Sequence, residues 1–317
     1  MNEHNILSLG PFQGITDMPF RNIYKTHFRG VDKFYTPFFT GIQKDNARNL
    51  RTEEIDPLHN DVATLTPQLL STDAEEVLRF ARQCGEMGYS EINLNMGCPF
   101  PRVANKKRGS GMLPYPQRID EMLEIVFEKI TVKLSIKCRL GYYSPNEIIP
   151  VIEVFNKYPL SELVIHPRIG KQLYKGEADV AGFKALINSI KTPLVYNGDI
   201  FTLNDFSRIA GEVGNVSGFM LGRGLLADPF LPEKIRGLNT GDTMTRLRHY
   251  VEDLYEDRLR HAGGSPKVLG RMKELWSYLM LSFEESQQIW RNIKKLNALS
   301  DYEAAVNDIF RNCNLKN

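Results

Sequence analysis

No stretch of this sequence approaches the ~18 consecutive apolar residues that a membrane-crossing helix needs, and its mean hydropathy is slightly polar. The opening residues, MNEHNILSLG, carry neither a basic lead nor a long apolar core. No signal peptide is therefore expected, and the protein is expected to be cytoplasmic with no membrane partner. Cysteine is scarce. The four present, Cys84, Cys98, Cys138 and Cys313, show no CxxC or His-rich spacing, which argues against disulfides in a cytosolic chain and against a zinc site. No metal is expected. Excess charge is also lacking: 40 Lys and Arg against 38 Asp and Glu leave a formal net of +2. That is too little to announce nucleic-acid binding by bulk electrostatics, so any RNA contact must come from a local basic patch. No GxGxxG follows the first strand candidate, which weakens a doubly wound dinucleotide fold.

What is there is an alternation of short β-rich runs with longer helical patterns. The strand candidates are Ile6–Leu9, Lys33–Pro37, Val62–Leu65, Glu91–Asn95, Val132–Lys137, Glu162–His166, Pro193–Asn197 and Ser217–Leu221. Several are almost continuously apolar, as parallel strands covered on both faces require. Between them lie amphipathic segments with helix-start signals, such as Ser71-Thr-Asp-Ala-Glu-Glu and Ser144-Pro-Asn-Glu. Eight strand–helix units in roughly 230 residues predict an α/β fold, a (β/α)8 TIM barrel. After about Thr240 the pattern becomes long helices with a break at Gly263-Gly-Ser-Pro266. The expected organisation is a catalytic barrel over residues 1–240 and a C-terminal all-helical domain over 241–317, in a chain of 317 residues that acts as a monomer.

A barrel builds its active site from the loops that leave the C-terminal ends of its strands. At those positions stand Pro11-Phe-Gln13, Gln68, Asn95-Met-Gly-Cys98-Pro, Lys137-Cys-Arg, His166-Pro-Arg168, Asn197-Gly-Asp199 and Gly222-Arg-Gly224. A Gly-rich loop after the eighth strand lets backbone N–H groups approach an anion, and Arg223 adds a fork suited to phosphate oxygens. With Asn197, Gly198 and Asp199 at the seventh strand, a phosphate site is expected there. Lys137, at the end of a buried strand, must meet a partner or an anion. It could form a Schiff base, act in acid–base chemistry or stabilise negative charge on a cofactor. Cys98 is the one cysteine on a candidate catalytic loop, and its chemistry leaves nucleophile and general acid equally open. Strand alternation turns Cys138 away from the mouth.

Taken together and in order, these motifs resemble the tRNA-dihydrouridine synthase family. The most specific match is Glu91-Ile-Asn-Leu-Asn-Met-Gly-Cys-Pro, followed by Pro101, Val103, Asn105 and Lys106. Gly14-Ile-Thr-Asp-Met-Pro-Phe-Arg21, Gln68-Leu-Leu, Lys137-Cys-Arg-Leu-Gly141, His166-x-Arg168, Asn197-Gly-Asp199 and Gly222-Arg-Gly224 extend it over roughly residues 8–235. Arg271-Met-Lys-Glu-Leu-Trp-Ser-Tyr278 and Ile293-Lys-Lys-Leu resemble the helical RNA-binding domain of bacterial members. The resemblance implies FMN across the barrel mouth, with Pro11, Phe12 and Gln13 against the flavin, Gln68 bonded to the ring and Lys137 near its N1–O2 edge. It places the phosphate on Asn197, Gly198, Asp199, Gly222 and Arg223, with His166 nearby. NADPH, or NADH, would reduce the flavin, whose N5 would pass hydride to C6 of a uridine while Cys98 protonates C5. Asn95, Lys106 and Arg168 become candidate substrate contacts. The target base would be flipped out of the tRNA to reach the pocket, with Lys171, Lys175, Lys267, Arg271, Lys273, Lys294 and Lys295 along the phosphate backbone.

The sequence departs from the family pattern at Phe12, where Met is usual, at Pro167 and Ile169, and at Lys107-Arg108, which break a run of glycines. The alternatives are an FMN barrel reducing a free small molecule, like a dihydroorotate dehydrogenase or an ene-reductase, a catalytically idle RNA-binding protein, and a phosphosugar isomerase. The last offers no role for Cys98. The tail leans towards members that act at position 16 of the D-loop.

Overall fold

A computed structural model describes residues 5–42, 52–261 and 263–316. Nine parallel strands form one sheet: β1 Ile6–Leu9, β2 Lys33–Tyr35, β3 Leu65–Thr66, β4 Gln68–Leu69, β5 Glu91–Met96, β6 Lys133–Gly141, β7 Leu163–Ile169, β8 Leu194–Tyr196 and β9 Gly218–Leu221. Their order is β3-β2-β1-β9-β8-β7-β6-β5-β4. The two ends of that order, β3 and β4, are separated in sequence by Pro67 alone. They are two halves of one third strand: β3 pairs with β2, and β4 pairs with β5. Proline has no N–H to give a ladder, so the strand breaks there. The Pro67 carbonyl still accepts from the Asn93 N–H at 2.8 Å, and the Gln68 N–H turns to the Thr36 hydroxyl at 2.9 Å. The sheet is thus the nearly closed α/β barrel that the alternation predicts.

Three strands differ from expectation. The third lies at 65–69 instead of Val62–Leu65, because Asp61 caps a turn: its carboxylate accepts from the Ala63 N–H and the Thr64 hydroxyl, and its carbonyl from the Leu65 N–H. The strands β6 and β7 run on to Gly141 and Ile169, past a register shift between Arg139 and Gly141. Helices Ala74–Glu86, Pro116–Lys129, Ile148–Phe155 and Val180–Leu186 follow their strands. Asp73 caps the first of these through the Glu75 N–H, and Ser144 caps the turn that leads into the third through the Asn146 N–H.

Inside the barrel the residues are layered along the strand direction. Lys33, at the start of β2, meets Glu91 at 2.8 Å and Glu162 at 3.2 Å, and the Tyr35 hydroxyl donates to Glu162. Above them Tyr35, Val164, Val195 and Met220, each at most 1% exposed, close the interior as an apolar plug. Above the plug, at the C-terminal ends, the inward residues are polar again.

The chain divides into two compact units. One contains all nine strands and comprises Met1–Pro11, Val31–Asp199 and Ser207–Leu221; the other comprises Phe12–Gly30, Ile200–Phe206 and Gly222–Asn317. The second unit is helical. Its helices include Met18–His27, Thr243–His261, Ser265–Leu279, Ser286–Ile293 and Leu299–Asn312. Fully buried Trp276 donates to the Tyr302 hydroxyl at 3.1 Å and packs on Phe283 and Phe310. The break between its first two long helices falls at Gly263-Gly264, with Pro266 opening the next helix. Residues 12–17 belong to this unit's fabric. Arg258 holds the Asp17 carboxylate at 2.6 Å, Arg271 donates to the Gly14 carbonyl, and Phe12 meets Tyr278 edge-on at 6.0 Å. Among the described residues no helix is long and apolar enough to cross a membrane.

Candidate active site

Along β4 to β7, register brings predicted residues of the barrel unit together with Asn93 and Arg139; β6 and β7 run past Lys137 and His166, which stand within their strands and not at the ends. Gln68 pairs with Asn93, Asn95 with Lys137, and Arg139 with His166. In parallel strands residues in register point the same way, and Lys137 is in register with the inward-facing Val164, so all of these line the interior.

Cys98 follows β5 at a turn. Its backbone N–H and that of Gly97 both donate to the Asn95 Oδ1, at 2.9 and 3.0 Å. The Ser110 N–H and hydroxyl, across the loop, both donate to the Cys98 carbonyl at 3.1 Å. Gly109, with φ +57°, sits so close to Cys98 that a Cβ there would collide with the Cys98 carbonyl. Cys98 is 8% exposed. Burial pushes its pKa above that of a free cysteine, against the Phe100 N–H and the charges of Arg139, Arg102 and Lys137, which pull the other way. At neutral pH the group is therefore a thiol.

Lys137 has no carboxylate or carbonyl within bonding reach among the described residues. Burial, then the charge of Arg139, brings its pKa down to about 8. Arg139 is only 1% exposed and donates to the carbonyls of Ile169 and Leu173 at 2.9 and 2.7 Å. Sequence patterns did not single it out. The signal was available: it lies two residues beyond Lys137 on the same strand and so on the same face. Cys138, turned away as expected, is fully buried, and burial raises its pKa to about 12.

Arg168, expected to touch substrate, is 2% exposed and engaged inside the protein. Its guanidinium grips both oxygens of Asp199 at 2.9 and 2.6 Å, the Gly176 carbonyl at 2.6 Å and His166 Nε2 at 2.9 Å. Asp199 adopts φ +43° and also accepts from the Ala178 N–H at 2.8 Å. Asn197 is 9% exposed and donates to the Met220 carbonyl at 2.8 Å. Pro11 ends the first barrel segment, and Gln13 is exposed. In the helical unit Gly222 precedes the short helix Arg223–Ala227, Arg223 lies 5.5 Å over the Phe201 ring, and a Cβ on Gly224 would overlap the Ile200 carbonyl. Gly224 is thus required by packing.

Lys106 is exposed and lines a groove with Lys107, Tyr115 and Arg118. Lys107 takes φ +56° and lays its ammonium 4.6 Å over the Tyr115 ring, and Arg118 flanks the same ring at 5.5 Å. Of the other expected RNA contacts, Lys171 packs over Tyr142 and Tyr143, while Lys175, Lys267, Lys294 and Lys295 are exposed. Lys273 is half-buried. Arg271 is engaged by the Gly14 carbonyl.

Comparison with known proteins adds an independent line. The family described as Dihydrouridine synthase (Dus) matches residues 8–314. The chain is 28% identical over 244 residues to tRNA-dihydrouridine synthase B of Pasteurella multocida, covering 76% of this chain and 71% of that protein. It is 24% identical over 318 residues to tRNA-dihydrouridine(16) synthase of Neisseria meningitidis, covering 94% and 95%. Among solved structures, histamine dehydrogenase from Rhizobium is similar with a TM-score of 0.57 at 13% identity, covering 78% of this chain and 48% of that one. A 2-naphthoyl-CoA reductase is similar with a TM-score of 0.54 at 10% identity, covering 74% and 50%. This chain thus spans about half the length of those two structures, and at such identities the likeness is one of fold.

Proposed function

This chain belongs to the dihydrouridine synthase family and is an oxidoreductase that acts on uridine in tRNA; we propose that Cys98 is its proton donor, FMN its cofactor and NADPH its reductant. The observation that carries the role of Cys98 is the state of its sulfur. A thiolate would serve as a nucleophile, whereas a thiol kept protonated by burial has a proton to give. The Cys98 pKa is raised despite three nearby cations, which favours the acid. When bound, the flavin supplies the hydride that C6 of the uracil receives. Cys98 then delivers its proton to C5, in a position fixed by the Asn95 and Ser110 hydrogen bonds to its backbone.

The residues present fit a flavin. Lys137 brings to the interior an ammonium that has no counter-ion among the described residues, beside Arg139, which suits a ring edge that gathers negative charge. Gln68 and Lys137 would hold the ring, and His166, Asn197 and Gly198 the phosphate side. Pro11, Phe12, Gln13, Gly222 and Arg223 keep the cofactor roles that the family pattern gives them. Asp199 is better suited to fixing Arg168 than to meeting a phosphate, since its carboxylate already accepts from a guanidinium and an amide. Lys106 would meet the RNA at the rim. The exposed cations of the helical segment after residue 240, Lys267, Lys294 and Lys295, would meet the tRNA backbone.

We assign the target to position 16. The resemblance to the (16) enzyme runs through the helical tail, at 94% of this chain. The matches to the B enzymes of Pasteurella, Pseudomonas syringae and Vibrio parahaemolyticus cover only 76–77%. The protein is proposed to work as a cytoplasmic monomer without metal. Reduction of a free small molecule is not favoured. Deleting the gene and mapping dihydrouridine across the host tRNAs tests the function: loss at position 16 alone is expected, and survival of every dihydrouridine overturns it.

A further inference from the structure

Four buried side chains form a hydrogen-bonded chain beneath the Cys98 loop, crossing β4, β5 and β6. Asn95 Nδ2 donates to Gln68 Oε1 at 2.8 Å, and Gln68 Nε2 donates to Asn93 Oδ1 at 2.8 Å. Asn93 Nδ2 donates to the Ser135 hydroxyl at 2.9 Å, which donates to the Ile92 carbonyl at 3.3 Å. Gln68, Asn93 and Ser135 are fully buried, and Asn95 is 8% exposed.

An amide can usually be turned end for end without changing its shape. Here one end of the chain removes that freedom. The Gly97 and Cys98 backbone N–H groups are donors whatever the side chains do, and both point at the same atom of Asn95. That atom must be oxygen. With both lone pairs of Oδ1 used, Asn95 can only donate towards Gln68, which must then present Oε1 to Asn95 and Nε2 to Asn93. The direction passes on to Asn93 and ends at the Ser135 hydroxyl, which is free to rotate. The backbone of the catalytic loop thus sets the orientation of Gln68 on the neighbouring strand.

We propose that Asn95 is a positioning residue: it anchors the Cys98 backbone and, through a one-way amide chain, fixes which end of Gln68 faces which neighbour. Its place in catalysis follows from the proton-donor role of Cys98, but the anchoring itself does not depend on that role. Asn95→Asp keeps an acceptor for both N–H groups, and Gln68, Asn93 and the Ser135 hydroxyl can all turn to suit it. Asn95→Ala removes the acceptor. Gln68→Glu leaves the anchor untouched, because Asn93 can turn and Asn95 cannot.

Residue-resolved amide hydrogen exchange on the full chain tests this without cofactor or tRNA. In the unmodified chain the Gly97 and Cys98 amides are expected to exchange at least about a hundredfold more slowly than free loop amides. In Asn95→Ala they speed up by about tenfold or more, as loss of both bonds implies, and iodoacetamide labels Cys98 faster. Asn95→Asp and Gln68→Glu stay within about threefold of the unmodified chain. Unprotected amides in the unmodified chain overturn the proposal, even if Asn95→Ala fails to fold. So does a folded Asn95→Ala with unchanged exchange whose only defect is a raised KM for tRNA, since that marks Asn95 as a substrate ligand alone. Absence of tRNA reduction by the unmodified, flavin-loaded chain, with both amides protected, would count against the proposed function and leave the anchoring standing.

Discussion

Arg168 donates an Nη1 proton to His166 Nε2 at 2.9 Å while the same guanidinium holds both oxygens of Asp199. A guanidinium has no lone pair to offer, so Nε2 must be the accepting nitrogen and the ring proton must sit on Nδ1. Long-range 1H–15N spectra of His166 at pH 7.5 should show the Nδ1–H tautomer alone. Arg168→Met should let the two tautomers mix. A pure Nε2–H signal in the unmodified protein would mean that this contact does not form.

Asp199 is the counter-ion of an arginine side chain that is 1% exposed. Removing one partner of such a pair strands a buried charge and costs about 3–5 kcal/mol. Asn tolerates the left-handed φ of position 199 better than most residues, so Asp199→Asn isolates the charge from the backbone. Urea unfolding should show Asp199→Asn destabilised by about 3 kcal/mol; a loss below about 0.5 kcal/mol would place the pair among weak surface bridges.

Lys137 has a folded-state pKa of about 8 against an ordinary 10.5, so the folded chain binds fewer protons than the unfolded one between those values. Stability is greatest above 10.5 and is lost as pH falls through about 8, which means it rises with pH across that window. Unfolding free energies measured at pH 8 and pH 9.5 should show flavin-free protein gaining about 1–2 kcal/mol relative to Lys137→Met. The opposite sign would show that the ammonium has a counter-ion.

The Cys98 thiol should be alkylated by iodoacetamide with a midpoint above that of a free cysteine, because burial outweighs the nearby cations. Arg102→Ala removes one exposed cation and should move the midpoint further up. Cys98→Ala should keep the yellow colour of a bound flavin yet lose uridine reduction. A midpoint below that of a free thiol would return the residue to a nucleophile's role.

Much of the barrel is legible because parallel strands buried on both faces are nearly continuous in apolar residues, as in Leu163-Val-Ile and Leu194-Val-Tyr. The third strand is not, since Asp61 captures the start of the apolar run in a turn and Pro67 splits the rest of it between two neighbours. The strand-end polar residues are legible as a set, from Gln68 to Asn197. Their partners are not, because those are fixed by the fold across long separations. Asp199 lies 31 residues from Arg168, and Gly14 lies 257 residues from Arg271. Local patterns therefore marked Arg168 and Arg271 as free cations when tertiary structure had already engaged both. Asn95 was missed as an anchor for a different reason: its short bonds to Gly97 and Cys98 are local, but only the Gln68 contact gives them a consequence.

Residues 12–30 share a compact unit with everything after Gly222, and Arg258, Arg271 and Tyr278 hold Asp17, Gly14 and Phe12 within it. The tail is consequently not a detachable module. A chimera that exchanged only residues 241–317 with a relative would pair a foreign tail with a native first loop and leave Asp17 facing whatever replaced Arg258. Grafts of the C-terminal helices should carry residues 12–30 and 200–206 along with them. In descent, too, these distant segments would be expected to vary together.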